Sequence, residues 1–146
     1  MVAVLAVSGL SVAAQNDAAR GEQIVRQKCD TCHTFRDEKQ QPVVGYLAGG
    51  KMIAGAASPN LTPDASGISY YDEKMFLQTL RTGQVGARKL KAAMNPVLFK
   101  GITDEELKAV FAYLKTVPPI KHRVDNTEEP TYCKLCRQKH GGGSSN

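Results

Sequence analysis

The sequence predicts an all-α domain in which a few helices and long loops wrap around one bound group. Helical periodicity appears in three separate stretches, whereas residues 34–68 are crowded with Gly and Pro and show no period. Aromatic residues make up only 6% of the chain and Trp is absent, so large side chains alone do not account for a filled interior. At 146 residues, 42% of them hydrophobic, the chain has the size and apolar content of a single-core domain. A loop as long as 34–68 inside such a domain usually surrounds something.

The elements follow in order. "MVAVLAVSGLSVAAQ" opens with an apolar run and then places Val12 and Ala14 at the −3 and −1 positions of a cleavage after Ala14. Residues 1–14 therefore read as an export signal, although no Lys or Arg precedes the run, and the run is too short for a comfortable membrane span. Residues 15–120 form the main domain. Its first helix is expected over 16–28, "NDAARGEQIVRQK", where Asn16 and Asp17 are cap-type residues and Ile24 and Val25 lie one turn beyond Ala18 and Gly21. The loop 34–68 follows, with Pro42, Pro59 and Pro63. "YDEKMFLQTLRTG" reads as a second helix, acidic in its first turn, apolar at Met75, Phe76, Leu77 and Leu80, and closed by Gly83. After a basic loop carrying Met94 comes the clearest helix, "TDEELKAVFAYLKTVPP". Thr103 and Glu106 have capping-box spacing, Leu107, Val110, Phe111 and Leu114 form the apolar stripe, and Pro118 and Pro119 stop it. Residues 121–146 are polar, end in "GGGSSN" and form a C-terminal extension; no internal repeat is present.

The chemistry lies in "CDTCH", residues 29–33. In C-x-x-C-H the two thiols add to the two vinyl groups of a haem, and the adjacent histidine turns its imidazole onto the iron. Two intervening residues separate the sulfurs by about the vinyl spacing, and only the immediate neighbour reaches the metal beneath them. Cys29, Cys32 and His33 are thus the candidate attachment residues for one covalent haem c. The sixth iron ligand has five candidates: Met52 in the Gly-rich loop, Met75 on the second helix, Met94 in the loop before the last helix, His122 and His140. Met75 belongs to an apolar stripe and suits core packing. Met94 lies late enough after the motif for its loop to fold over the opposite haem face.

From about Asp17 to Pro119 the chain resembles a class I c-type cytochrome, closest to the single-haem modules of bacterial electron-transfer chains and of periplasmic dehydrogenase complexes. Gly21 and Val25, eight and four residues before Cys29, match that family's contact positions on its first helix, and Val110 and Tyr113 match those that cross them on the last. "SPNLTPD", Gly67-Ile68 and "RTG" are similar to the loop pattern of the dehydrogenase-associated branch. The resemblance implies the class I cytochrome c fold, with His33 and Met94 as axial ligands, although Asn95 stands between Met94 and the proline that usually follows directly. It also implies a hydrogen bond from the haem histidine to a loop carbonyl near a proline, for which Pro42 is the expected counterpart.

The function expected is one-electron transfer by an exported, periplasmic protein, free or as a subunit of a respiratory or dehydrogenase complex, and not catalysis. The alternative is a haem enzyme or sensor with a displaceable sixth ligand. A net charge of +5 without a long basic run or a nucleic-acid motif points to acidic protein partners rather than DNA or RNA. Membrane association would come only through an uncleaved N-terminus or a complex. Arg81, Arg88, Lys89, Lys91 and Lys100 form a basic stretch around Met94, a candidate docking rim for acidic redox partners. In the second pair, "CKLCRQKH", Arg137 follows Cys136, so a second covalent haem is not expected. Cys133 and Cys136 would instead form a disulfide or, with His140 one helical turn beyond Cys136, part of a zinc site.

Overall fold

The computed structural model describes residues 10–86, 88–124, 131–132 and 139–140, with side chains from residue 17 to residue 124 apart from 87 and 88. Cys133 and Cys136 lie outside the described residues. Among the described residues four helices occur in the order α1 (Leu10–Lys28), α2 (Asp30–His33), α3 (Glu73–Thr82) and α4 (Asp104–Leu114). The other described residues are loop, with 3-10 turns at Ala92–Met94 and Pro96–Phe99 and three antiparallel strand pairs of two residues per strand. The predicted all-α class and the class I cytochrome c architecture agree with this arrangement.

Each helix has a local cause. α1 is already helical at Leu10, upstream of the expected start at Asn16, and Ala13, Ala14 and Gln15 are good helix formers that carry it past the cap-type residues. Its last turn carries Arg26 and Lys28, the sign that a helix C-terminus favours. α2 is one further turn, in which the His33 amide donates to the Cys29 carbonyl at 2.9 Å. α3 is capped by Asp72, whose Oδ1 accepts from the Met75 amide at 2.6 Å, and is closed by Gly83 in the left-handed conformation. α4 has the full capping box. The Glu106 amide donates to Thr103 Oγ1, and the Thr103 amide donates back to Glu106 Oε2. Its predicted stripe of Leu107, Val110, Phe111 and Leu114 is buried.

α1 and α4 cross at very short range. Ile24 and Val25 on α1 pack into a core shared with Val110 and Leu114 on α4, while Arg20 bonds Glu106 at the rim. Gly21 makes the approach feasible, since a Cβ there would lie 2.0 Å from the Ala109 carbonyl oxygen. α3 is tied in by Arg81, whose guanidinium donates to the carbonyls of Phe99 and Ile102 and to Asp104 at 2.6–2.9 Å. Residues 34–68, expected as loop, contain only the hairpin of Met52–Ile53 with Ala56–Ala57 and two isolated bridges. His122, in the segment expected to be an extension outside the domain, lies with Ile120 against this loop, and both exchange hydrogen bonds with it. His140 belongs to a strand, Lys139–His140, paired antiparallel with Thr131–Tyr132, and the expected disulfide or zinc site at Cys133 and Cys136 lies outside the described residues.

Alanine in a helix interior ordinarily gains about 1 kcal/mol over glycine. At position 21 the methyl would meet backbone that has no rotamer to retreat into, and overpacking costs ~1–3 kcal/mol or more. Gly21→Ala should therefore destabilise the protein by about 2 kcal/mol, read as a lower denaturant midpoint. A midpoint at or above wild type would mean that α1 and α4 separate freely.

Candidate functional site

Between α1, α3, α4 and the long loop lies a cavity of about 330 Å³, within the range of small-molecule sites. Cys29, Cys32, His33 and Met94 all line it. Its walls are otherwise mostly apolar, including Ile24, Ile68, Phe76 and Leu107. The low aromatic content is explained here, because the helices bury their apolar stripes against this space as well as against one another.

His33 is 3% exposed. Its Nδ1–H donates to the carbonyl oxygen of Pro59 at 2.9 Å, since a carbonyl only accepts. That bond fixes the tautomer and leaves Nε2 as the nitrogen with a lone pair. Burial pushes the imidazole pKa down, opposed by the bond to Pro59, so the ring is held neutral as a metal-ligating histidine must be. The acceptor is Pro59 and not Pro42. Val43 N–H to Phe35 O and Asp37 N–H to Gln41 O close residues 35–43 into a local surface turn, which leaves Pro42 exposed in a bridge to Arg36. The chain returns to the histidine only later, where the Gly49 amide donates to the His33 carbonyl at 2.8 Å and Pro59 lies against Gly49.

Cys29 is buried, and its thiol is pushed up to about 12, first by burial and then by the neighbouring Cys32 and Asp30. Such a thiol stays protonated at neutral pH and is a poor metal ligand in its own right.

The candidate sixth ligands separate clearly. Of Met52, Met75 and Met94, Met94 alone lines the cavity; Met52 is 66% exposed, and Met75 is half-buried outside the lining. His122 is not in the cavity lining, and its Nδ1–H donates to the Ala48 carbonyl at 2.7 Å. Of His140 only the strand backbone is described. Met94 ends the first 3-10 turn, and Asn95, the insertion before Pro96, has a structural task. Its Oδ1 accepts from the Val97 amide at 2.9 Å and caps the second 3-10 turn.

The basic rim is partly as expected. Lys91 lines the cavity and is exposed, and Lys89 and Lys100 are exposed on the same segment. Arg81 is withdrawn from the rim by its bonds to Asp104 and two carbonyls. Lys28, far from this segment in sequence, lines the cavity from α1. Apolar Val97 and Leu98 are exposed on the Met94 side, at 59% and 57%.

Comparison with known proteins places these features in context. The family model for cytochrome c matches residues 18–118. The chain is 27% identical over 162 aligned residues to the cytochrome c subunit of a quinone alcohol dehydrogenase from Gluconacetobacter polyoxogenes, covering 87% of this chain and 35% of that protein. It is 30% identical to the cytochrome subunit of fructose dehydrogenase from Gluconobacter japonicus, with 89% of this chain and 30% of the relative covered. A third relative, one of the subunits of nicotinate dehydrogenase from Pseudomonas putida, is 30% identical over 70% of this chain and 9% of its own length. The chain thus spans about a third of the length of the first two.

Gly49 holds the loop against His33 at a φ of +76°, and a Cβ there would lie 2.4 Å from the Ser58 carbonyl oxygen and 2.6 Å from the Pro59 carbonyl carbon. Gly49→Ala combines left-handed strain with overpacking, together ~2 kcal/mol or more. Thermal unfolding should shift down accordingly. An unchanged Tm would show that the loop backbone yields without cost.

Proposed function

Because the chain belongs to the cytochrome c family, we propose that it carries single electrons through one covalently attached haem, bound by Cys29 and Cys32 with His33 and Met94 as axial ligands. The observation that carries this reading is the hydrogen bond from His33 Nδ1–H to Pro59. It leaves Nε2 available in a cavity that the two cysteines and Met94 also line. When bound, the haem supplies an Fe(III)/Fe(II) couple whose reduced state is favoured by a thioether ligand and by burial. The chain's own part is to hold that group still. Pro59 orients the imidazole, the 3-10 turns present Met94, and the apolar walls exclude water. With His33 and Met94 holding the iron, no substrate would need to reach the metal, and the protein would act as a carrier and not as an enzyme.

The named relatives are cytochrome subunits of dehydrogenases, which supports a place downstream of a dehydrogenase. The apolar N-terminal run and the covalent attachment motif support export to the periplasm. Cys133 and Cys136 lack an adjacent histidine, which supports a single haem per chain. Exposed Lys28, Lys89, Lys91 and Lys100, together with exposed apolar Val97 and Leu98, suit a partner whose docking face combines acidic and apolar groups.

The ferric protein should show a low-spin spectrum with a weak near-infrared band from sulfur-to-iron charge transfer, and an intact mass of one haem per chain. Met94→Ala should abolish that band. Its survival in the variant would shift ligation to another residue, and a high-spin wild-type spectrum would favour an enzyme or sensor.

Association with the physiological partner should slow as salt rises, since surface charges are screened over roughly 10 Å at 0.1 M ionic strength. Lys91→Glu should slow it at low salt, whereas Arg81→Gln should lower stability and leave the rate near wild type. Stopped-flow rates indifferent to both salt and Lys91→Glu would contradict electrostatic docking.

A further inference from the structure

We infer that the strap of residues 120–122, which follows α4, positions His33 and thereby sets the reduction potential, an inference that rests on His33 being an iron ligand. Two loop arms touch His33: Gly49 donates to its carbonyl, and Pro59 accepts from its ring. The strap fastens both arms from behind. Asn60, 2% exposed and next in sequence to Pro59, donates from Nδ2 to the Ile120 carbonyl at 2.8 Å. Its Oδ1 accepts from the amide and hydroxyl of Thr62 at 2.9 and 2.8 Å. Thr62 Oγ1 in turn accepts from the Ile120 amide at 3.0 Å, and Ser66 Oγ accepts from the His122 amide at 2.9 Å. On the other arm, His122 Nδ1–H donates to Ala48, the residue before Gly49, at 2.7 Å, and its ring lies against Gly50.

Asn60 and Thr62 are nearly inaccessible, and their polar atoms find partners in the strap and in each other, so the network is stiff and its loss would leave buried groups unpaired. The partner of a ligating histidine sets ring orientation and ligand basicity. A Pro59 carbonyl held firmly on Nδ1–H makes Nε2 a stronger donor and stabilises the oxidised iron. Loosening the strap weakens that bond and favours the reduced state. His122 and Thr62 are positioning residues in this scheme, acting through the arms and not on the iron.

The test uses the full-length holoprotein. His122→Ala removes the clamp on Ala48, and Thr62→Val removes the acceptor for Ile120 while keeping the side-chain shape. Each should raise the midpoint potential and speed solvent exchange of the His33 Nδ1–H several-fold, read by proton NMR of the reduced protein. His122→Asn, which restores a donor near the Nδ1 position, should return both readouts to wild type. Arg20→Ala, which breaks the ion pair between α1 and α4, should lower Tm and move neither. If His122→Ala and Thr62→Val lower Tm but leave potential and exchange unchanged, the strap is merely structural and the inference fails. A haem spectrum unaltered by His33→Ala would remove the ligand assignment, and the inference with it, before any strap variant is made.

Discussion

The hydrogen bond from His33 to Pro59 joins the end of the first helical segment to a loop 26 residues further on, and most of the loop's unusual features follow from making that meeting possible. The chain must turn back twice. Thr34 accepts the Leu47 amide through its hydroxyl, the Gly49 amide reaches the His33 carbonyl, and Gly50 and Ser58 then pair across the next bend. Left-handed glycines at 49 and 50 are what the path demands. Once formed, the bond decides which imidazole nitrogen keeps a free lone pair facing the rest of the site.

The helices solve a different problem. A domain with so few large side chains has to leave a central space and still be rigid around it. α1 and α4 meet backbone against backbone at Gly21, so one wall is set by direct contact and not by flexible side chains. The opposite wall depends on Arg81, whose guanidinium joins the end of α3 to the entry of α4 through three separate acceptors. Phe76 and Phe111, with ring centroids 5.1 Å apart, bridge the two walls from α3 to α4. The cavity is thus bounded by contacts of fixed length.

What the sequence revealed, and what it concealed, divides along the range of the interactions. The helices at 73–82 and 104–114 were legible because capping and periodicity are local: Asp72, Gly83, Thr103 and Glu106 act within a turn or two. The cysteines, His33 and Met94 were legible as residue types because adjacency and order along the chain constrain them. Pro59 was not. Nothing near Pro42 or Pro59 says which will face a histidine, since the answer depends on how Gly49 lets the loop double back. The strap formed by Asn60, Thr62 and His122 was equally hidden, because it pairs side chains with backbone some sixty residues away. Arg81 looked like a surface charge on composition alone, and only its three acceptors show it to be an internal tie. Asn95 looked like an interruption, and its cap on the next turn gives it a reason.

The crossing of α1 with α4 also orders events in time. Gly21 and Ala109 lie near opposite ends of the domain, so their contact closes most of that domain into one loop, and a closure of that length is entropically late. As the chain folds, the first helix has Ile24 and Val25 unmatched until α4 has formed. The folded state buries Cys29. Until α4 docks, the wall of the cavity that carries Cys29 has no partner, so the topology sets the order in which the site is assembled.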